Sequence, residues 1–150
     1  MIKNGNRIFL VIAFIVLFIA GRYMLLKDEV VEIPEVTVVT TNQVVESIRG
    51  SYCWHSSGEG VCVDTAAPHE IVKEEHQSFI KVKPNETIEF KYSQNPKNVS
   101  IQQWEQDYDY KEIATTQRFT APSEKGTYII SSFARFSNGD LTDTIAIEVE

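Results

Sequence analysis

The feature that most constrains this chain is an uninterrupted apolar run near its N-terminus. Residues 8–20 are all apolar, and the basic residues Lys3 and Arg7 precede them. Extended to residue 26, the run reaches about the twenty residues that cross ~30 Å of hydrocarbon. The basic-then-apolar order is that of an export signal, but Phe18 or Ile19 would occupy a position where signal peptidase prefers a small residue. We therefore predict an uncleaved transmembrane signal-anchor, with a removed signal peptide as the alternative.

The orientation of this segment depends on more than the count of positive charges. Lys3 and Arg7 lie before the segment and Arg22 and Lys27 lie at its other end, so the positive-inside rule is almost balanced. The order of an export signal and the presence of two cysteines favour an extracytoplasmic, oxidising location for the remainder. The expected protein spans the cell membrane once, with a cytoplasmic N-terminus and an extracytoplasmic C-terminal domain.

Four segments follow from this interpretation. They are a cytoplasmic tail at residues 1–7, a transmembrane signal-anchor at residues 8–26, a stalk at residues 27–43 and a single folded domain at residues 44–150. The stalk is acidic at its start, although the β-branched residues 36–41 would also suit an edge strand.

The charge of the part after residue 27 limits its partners. All twenty-one Asp and Glu residues lie there, against ten of the fourteen Lys and Arg residues, which gives a formal charge of −11. Nucleic acids and anionic lipid surfaces are bound by clustered positive charge. We therefore expect no nucleic-acid partner, and expect contact with the membrane only through the N-terminal helix.

The folded part reads as an all-β domain. Short alternating stretches recur at about 8–12-residue spacing between turn residues, which is typical of a sandwich or barrel. The clearest signal is a hairpin at Asn138 and Gly139, after which Ile145, Ile147 and Val149 are expected to face inward. The longest stretch without strand character, residues 65–77, is expected to cross one end of the sandwich.

Two groups of residues suggest a family. One is Phe119-Thr120-Ala121-Pro122 followed by Gly126-Thr127-Tyr128 and a terminal hairpin, and it resembles the last strands of bacterial immunoglobulin-like domains. The other is Gly50-Ser51-Tyr52-Cys53-Trp54 with Val61-Cys62-Val63-Asp64. It is similar to uncharacterised, exported or membrane-anchored proteins of Gram-positive bacteria. The resemblance implies an immunoglobulin-like sandwich of about seven strands, and it carries no catalytic residues. Proteins of that group commonly look lipid-anchored, but no cysteine follows the apolar run here.

The two cysteines are expected to form a disulfide. Eight residues separate Cys53 from Cys62, and a hairpin would place their sulfurs opposite each other, closing a loop worth roughly 2–3 kcal/mol. The alternative is a metal site in which His55, His69 and His76 join the cysteines, because sulfur and imidazole are zinc ligands. Their spacing matches no established zinc pattern, and no cofactor is expected.

The aromatic residues provide a candidate binding surface, made of Trp54, Trp104, Tyr108 and Tyr110. Residues 104–112 interleave aromatic and acidic side chains, which would suit a sugar or peptide groove. The alternative is that Trp104 fills the core while the rest forms a solvated edge. Asp107, Asp109 and Glu112 offer oxygens to calcium, but the glycine of a calcium-binding loop is missing.

No motif for nucleophilic, acid–base or phosphate chemistry is found in the sequence. The expected function is a non-catalytic binding or accessory module whose partner is an envelope protein or an extracellular ligand. A sensory or regulatory subunit of a membrane complex is one alternative, and a metal-binding or hydrolytic envelope protein is another.

Overall fold

The computed structural model describes residues 9, 12–19, 32–56, 58–106 and 108–150. The chain divides into two compact units, Met1–Val30 and Val31–Glu150. Residues 9 and 12–19 are helical. No helix among the described residues is both long and apolar enough to span a bilayer. The predicted tail, the start of the predicted stalk, and residues 8, 10, 11 and 20–26 of the predicted transmembrane segment lie outside the described residues.

The second unit is built almost entirely of β-strands, and this confirms the all-β prediction. The described residues of this unit form eleven strands and one helix: β1 Val36–Val39, β2 Val44–Glu46, β3 Ile48–Ser56, β4 Glu59–Val63, α1 Pro68–Glu74, β5 Ile80–Val82, β6 Thr87–Tyr92, β7 Asn98–Gln106, β8 Asp109–Ala114, β9 Arg118–Thr120, β10 Gly126–Arg135 and β11 Gly139–Val149. The strand number exceeds the predicted seven or so, because residues 36–63 add four strands.

The strands form two sheets. The smaller sheet has the order β2-β1-β6-β9 and the larger has the order β4-β3-β11-β10-β7-β8. Strand β5 joins the larger sheet beside β11 as a parallel neighbour, whereas all other described pairings are antiparallel.

Alternating apolar residues of both sheets form the core. The side chains that are completely buried include Val38, Ile88, Phe90, Ile101, Ile130, Leu141, Ile145 and Ile147. Each such side chain contributes roughly 1.5–3 kcal/mol relative to an exposed position. The predicted inward face of β11 is therefore confirmed, since Ile145, Ile147 and Val149 are all buried. Alternation with a period of two identifies this face because successive side chains of a strand point to opposite sides of the sheet.

The predicted stalk contains a strand of the domain. Strand β1 is paired on one side with β2 and on the other with β6, and Val36 and Val38 belong to the core. The side chain of Arg49 also donates to the carbonyl oxygen of Pro34 over 2.6 Å. The predicted domain boundary at residue 44 was therefore wrong. The acidic residues that suggested a stalk stop before Val36, where the alternating valines begin.

The longest predicted loop contains a helix. Pro68 occupies the first turn of α1, with Glu70 near its N-terminus and Lys73 near its C-terminus, where their charges suit the helix dipole. Ile71 and Val72 are buried. The helix packs against β3, β7, β10 and β11, on the face of the larger sheet that points away from the core. The prediction that this segment crosses one end of the sandwich was therefore wrong.

Strand β11 changes partners along its length. Its first half pairs with β3, and its last three residues pair with β5. Between the two, the backbone N–H of Ala146 donates to the side-chain oxygen of Gln77 over 3.2 Å. Gln77 thus replaces a missing main-chain acceptor and satisfies a buried donor that would otherwise cost about 1–3 kcal/mol.

The predicted hairpin at Asn138 and Gly139 joins β10 to β11. Its glycine is required by a close approach of two strands, since a Cβ atom at Gly139 would lie 2.0 Å from the carbonyl oxygen of Cys53. At the other end of β10, the hydroxyl of Tyr128 donates to the carbonyl oxygen of Glu124 over 2.9 Å. Strand β10 is therefore fixed at one end by the hairpin to β11 and at the other by the hydrogen bond of Tyr128.

Candidate functional site

A row of side chains crosses the outer face of the larger sheet. In the register, Tyr110 of β8 is opposite Trp104 of β7, Trp104 is opposite Ile129 of β10, and Ile129 is opposite Ala146 of β11. Directly opposed residues of antiparallel strands project from the same face. One row therefore runs from two aromatic rings to two aliphatic side chains.

Helix α1 covers only the aliphatic end of this row. Val72 packs against Ile129 and Ala146, and these three residues form a small buried cluster with Trp104 at its margin. With seven residues, the helix is about 10 Å long, which is too short to cover the whole row from β8 to β11. Trp104 remains partly exposed and Tyr110 is 50% exposed.

Trp104, at the uncovered end of the row, forms part of one wall of a cleft of about 590 Å³, whereas Tyr110 contacts Trp104 from outside the lining of the cleft. It is lined by His69, Val72, Lys73, His76, Gln77, Phe79, Trp104, Glu105, Thr127 and Ile129. This volume lies within the range of small-molecule sites, roughly 300–1,000 Å³. Aromatic, amide, hydroxyl and imidazole groups are all present, so the cleft, which we call the α1 cleft, has the mixed lining of a binding site.

The aromatic residues differ in their relation to the α1 cleft. The rings of Trp104 and Tyr110 are 5.1 Å apart between centroids, at an angle of 41°, which is a favourable offset contact. Phe79 lines the cleft and is 43% exposed. Tyr108 is 88% exposed and lies in the turn between β7 and β8 with a positive φ of 69°, so it is at the hairpin tip.

Two polar atoms at the α1 cleft have no partner. The indole N–H of Trp104 and Nδ1 of His69 are both buried, and neither makes a hydrogen bond with any described residue. A buried polar group without a partner costs about 1–3 kcal/mol, and such groups are rare in folded proteins. Both atoms are shielded from solvent, so a ligand in the cleft reaches them only if the side chains of Trp104 and His69 turn toward it.

Trp54 does not belong to a binding surface, contrary to the sequence analysis. It is only 3% exposed and packs edge-on against Phe136 in the core, with ring centroids 5.5 Å apart. The alternation along β3 turns Trp54 inward, while its neighbour His55 is exposed. A smaller cavity of about 190 Å³ adjoins it near Gln94 and Asn138.

The predicted disulfide is present in the structure. Cys53 and Cys62 are bonded and lie directly opposite each other on β3 and β4, with Cα atoms 4.1 Å apart. Because both sulfurs are in the disulfide, neither can act as a thiolate ligand. His55 lies on β3, whereas His69 and His76 line the α1 cleft.

No group of three or more His, Cys, Asp or Glu side chains within the described ranges is arranged to hold a metal ion. Of the calcium alternative, Asp107 lies outside the described residues. Glu112 accepts a hydrogen bond of 2.6 Å from Ser100, and Asp109 begins the edge strand β8.

A buried polar cluster lies between the sheets. Asp143 is 2% exposed, and its Oδ1 accepts from Ser47 over 2.9 Å and from Nε of Arg49 over 3.2 Å. Burial raises the pKa of Asp143 to about 6, although Arg49 opposes this shift. Nearby, the hydroxyls of Tyr92 and Ser132 are hydrogen-bonded, and burial raises the pKa of Tyr92.

This cluster faces the interior, on the opposite side of the larger sheet from the α1 cleft. Ser132 is the register partner of Asp143, and both are buried between the sheets. The most strongly perturbed carboxyl among the described residues is therefore a structural link between β3 and β11.

Of the residues that line the cleft, Trp104 was predicted as part of a binding surface, whereas the helix side of the cleft was not. His69 and His76 were considered as metal ligands, and Phe79 was not among the candidates. The local signal was Pro68 followed by the apolar pair Ile71 and Val72, which is compatible with one helical turn. A stretch this short has no measurable helical period.

Comparisons of the chain with protein-family models, with curated proteins and with solved structures found no match. The fold and the cleft therefore define only a class: an all-β sandwich with a short helix on one sheet and a mixed aromatic and polar cleft beside that helix.

Proposed function

We propose that this protein is a non-catalytic binding module, held at the outer face of a cell membrane by its N-terminal apolar segment. The observation that carries the proposal is the α1 cleft, in which the partly exposed rings of Trp104 and Phe79 lie beside amide, hydroxyl and imidazole groups. Exposed apolar surface of this kind, bordered by polar groups, is typical of binding sites. The ligand binds against Trp104, whose ring packs against Tyr110.

The proposed mechanism is binding to a preformed surface. The floor of the cleft consists of β7 and β10, and both strands are paired on each side. Such a floor loses little conformational freedom when a ligand binds, which favours affinity. Glu105, the acidic residue that lines the cleft, lies apart from Asp143, the described carboxyl with the clearly raised pKa, and this favours binding over acid–base catalysis.

The proposed fold family is immunoglobulin-like. Strands β5 to β11 number seven, and the order β11-β10-β7-β8 corresponds to the sheet of variable-type domains that is formed by their last strands. The hydrogen bond from Tyr128 to Glu124 resembles the tyrosine corner of these domains. In this proposal, β1 to β4 and α1 are additions to a seven-stranded core.

A retention assay tests the binding function. Purified full-length protein in detergent micelles is mixed with isolated envelopes of the producing cells, and the retained fraction is measured after washing. Trp104→Ala and Tyr110→Ala are expected to reduce retention several-fold, because the first removes an aromatic ring that lines the cleft and the second removes the ring packed against it. Val61→Ala is the matched control, since Val61 is an exposed apolar residue on β4, at the opposite edge of the sheet.

Equal retention of the wild type and both aromatic variants would contradict the proposal. Circular dichroism of each variant shows whether it is folded, so that a loss of retention reflects the surface and not the stability of the domain.

A further inference from the structure

We infer that the ligand of the α1 cleft is an uncharged saccharide that lies against the ring of Trp104, which packs against Tyr110. This inference rests on the proposed binding function and specifies its ligand class. It follows from four features of the cleft: its rings, its hydrogen-bonding groups, its charge and the pairing of its floor.

The rings provide an apolar surface of restricted size. Trp104 and Phe79 line the cleft, Phe79 is 43% exposed, and Trp104 is held by its contact with Tyr110. Aromatic side chains present large, rigid contact areas at low entropic cost. A sugar ring has one face made of C–H groups, and such a face suits an exposed aromatic ring. A fully apolar ligand would leave the polar side of the cleft unsatisfied.

The polar groups include both donors and acceptors. The indole N–H of Trp104 is a donor without a partner among the described side chains and backbone groups, and Nδ1 of His69 likewise has none. Gln77 and Thr127 also line the cleft, and each carries donor and acceptor capacity. Hydroxyl groups can meet both kinds of need, because each hydroxyl donates one hydrogen bond and accepts others.

The charges of the lining balance. Lys73 and Glu105 contribute one charge of each sign, so neither an anion nor a cation finds a cluster of opposite charge. The chain as a whole has a formal charge of −7, which repels polyanions at long range. An uncharged ligand is therefore the best match to this cleft.

The floor disfavours an extended peptide. Peptides that bind to sheets usually add a strand to an unpaired edge, but β7 lies between β10 and β8, and β10 lies between β11 and β7. Main-chain groups of the floor are therefore engaged where Trp104 and Ile129 pair. A ligand in the cleft must bind through its own polar groups and the side chains.

The test uses the two indole N–H signals in an NMR spectrum of the ¹⁵N-labelled full-length chain. Trp104→Phe identifies the signal of Trp104, and the remaining signal belongs to Trp54. The micelles are made of a zwitterionic detergent, because the head group of a sugar detergent would compete. The probes are tetrasaccharides of glucose and of N-acetylglucosamine, an anionic oligogalacturonate and an uncharged tetrapeptide.

The expected result is that a neutral tetrasaccharide shifts the Trp104 signal to saturation and leaves the buried Trp54 signal in place. Tyr110→Ala should weaken this binding about tenfold, the order expected for the loss of one aromatic contact, while Val61→Ala should leave it unchanged. An unaltered Trp54 signal in Tyr110→Ala confirms that the variant is folded.

The saccharide inference is overturned if neither neutral tetrasaccharide shifts the Trp104 signal up to roughly 10 mM, beyond the millimolar range of weak specific binding. It is also overturned if the oligogalacturonate or the peptide binds instead, and in that case the proposed binding function stands. Failure of every probe together with unchanged envelope retention of the aromatic variants overturns both.

Discussion

Single residues show why local pattern does not decide which side of a sheet becomes a surface. Trp54 and Trp104 both lie in long strands among polar neighbours, and the sequence analysis treated both as surface candidates. Trp54 is buried against Phe136, and Trp104 lines a cleft on the outer face. The difference arises from the partners of β3 and β7, which lie far from them in sequence.

Asp143 is the residue whose chemistry is most altered by the fold. It is buried beside Arg49, Ser47 and the Tyr92 and Ser132 pair, and its pKa is raised to about 6. The folded state therefore binds a proton more tightly than the unfolded state does, whose Asp has an ordinary value of 3.8. This contribution to stability is fully present below pH 3.8 and is lost as pH rises through about 6.

We expect Asp143→Asn to remove this pH dependence. Relative to the variant, the wild type should lose about 2–3 kcal/mol of unfolding free energy between pH 4 and pH 7, since each pKa unit corresponds to roughly 1.4 kcal/mol. Urea unfolding of both proteins at the two pH values measures this difference. Parallel changes in the two proteins would contradict the raised pKa.

At the scale of elements, β4 is a strand that gains little from burial. It is an edge strand paired with β3, and all of its residues are exposed. The disulfide between Cys53 and Cys62 joins it to the rest of the domain. Burial therefore contributes little to the position of β4, and the covalent link contributes most.

We expect replacement of both cysteines, Cys53→Ser with Cys62→Ser, to release β4 while leaving the core intact. The unfolding free energy should fall by roughly 2–3 kcal/mol in the chain-entropy model. Hydrogen exchange should become fast in β4 and remain slow in β10 and β11. Wild-type protein treated with a reductant provides the matched control, and retained protection of β4 in the variant would show that packing holds this strand.

Helix α1 is the opposite case, because packing against the larger sheet stabilises it. Its sequence has a proline at the start, complementary charges and two apolar residues, which is insufficient for a stable isolated helix. The outer face of the larger sheet supplies the missing stabilisation through Ile129 and Ala146. Because α1 exists only through this contact, the α1 cleft also exists only in the folded domain.

At the scale of the whole molecule, the acidic domain and the apolar N-terminal segment divide the chain sharply. The twenty-one acidic residues follow residue 27, and the apolar run precedes it. With the disulfide, this division supports the proposed extracytoplasmic position of the domain.

We expect protease added to spheroplasts to digest the domain without lysis of the cells. The reason is that an N-terminal export signal places the following chain outside. Immunoblotting with an antibody against the domain measures its survival, and a cytoplasmic protein serves as the control for integrity. A domain that survives in intact spheroplasts but is degraded after lysis would contradict the topology.

The amino-acid sequence alone determined the class of fold, the inward faces of the long strands, the hairpin at Gly139 and the pairing of the cysteines. These features depend on neighbours a few residues apart, through side-chain alternation and the short separation of Cys53 and Cys62. Tertiary structure decided the inclusion of β1, the position of α1, the opposite roles of the two tryptophans and the pKa of Asp143. These depend on contacts between residues distant along the chain, because burial is a property of the packed sheets and no local pattern specifies which strands meet.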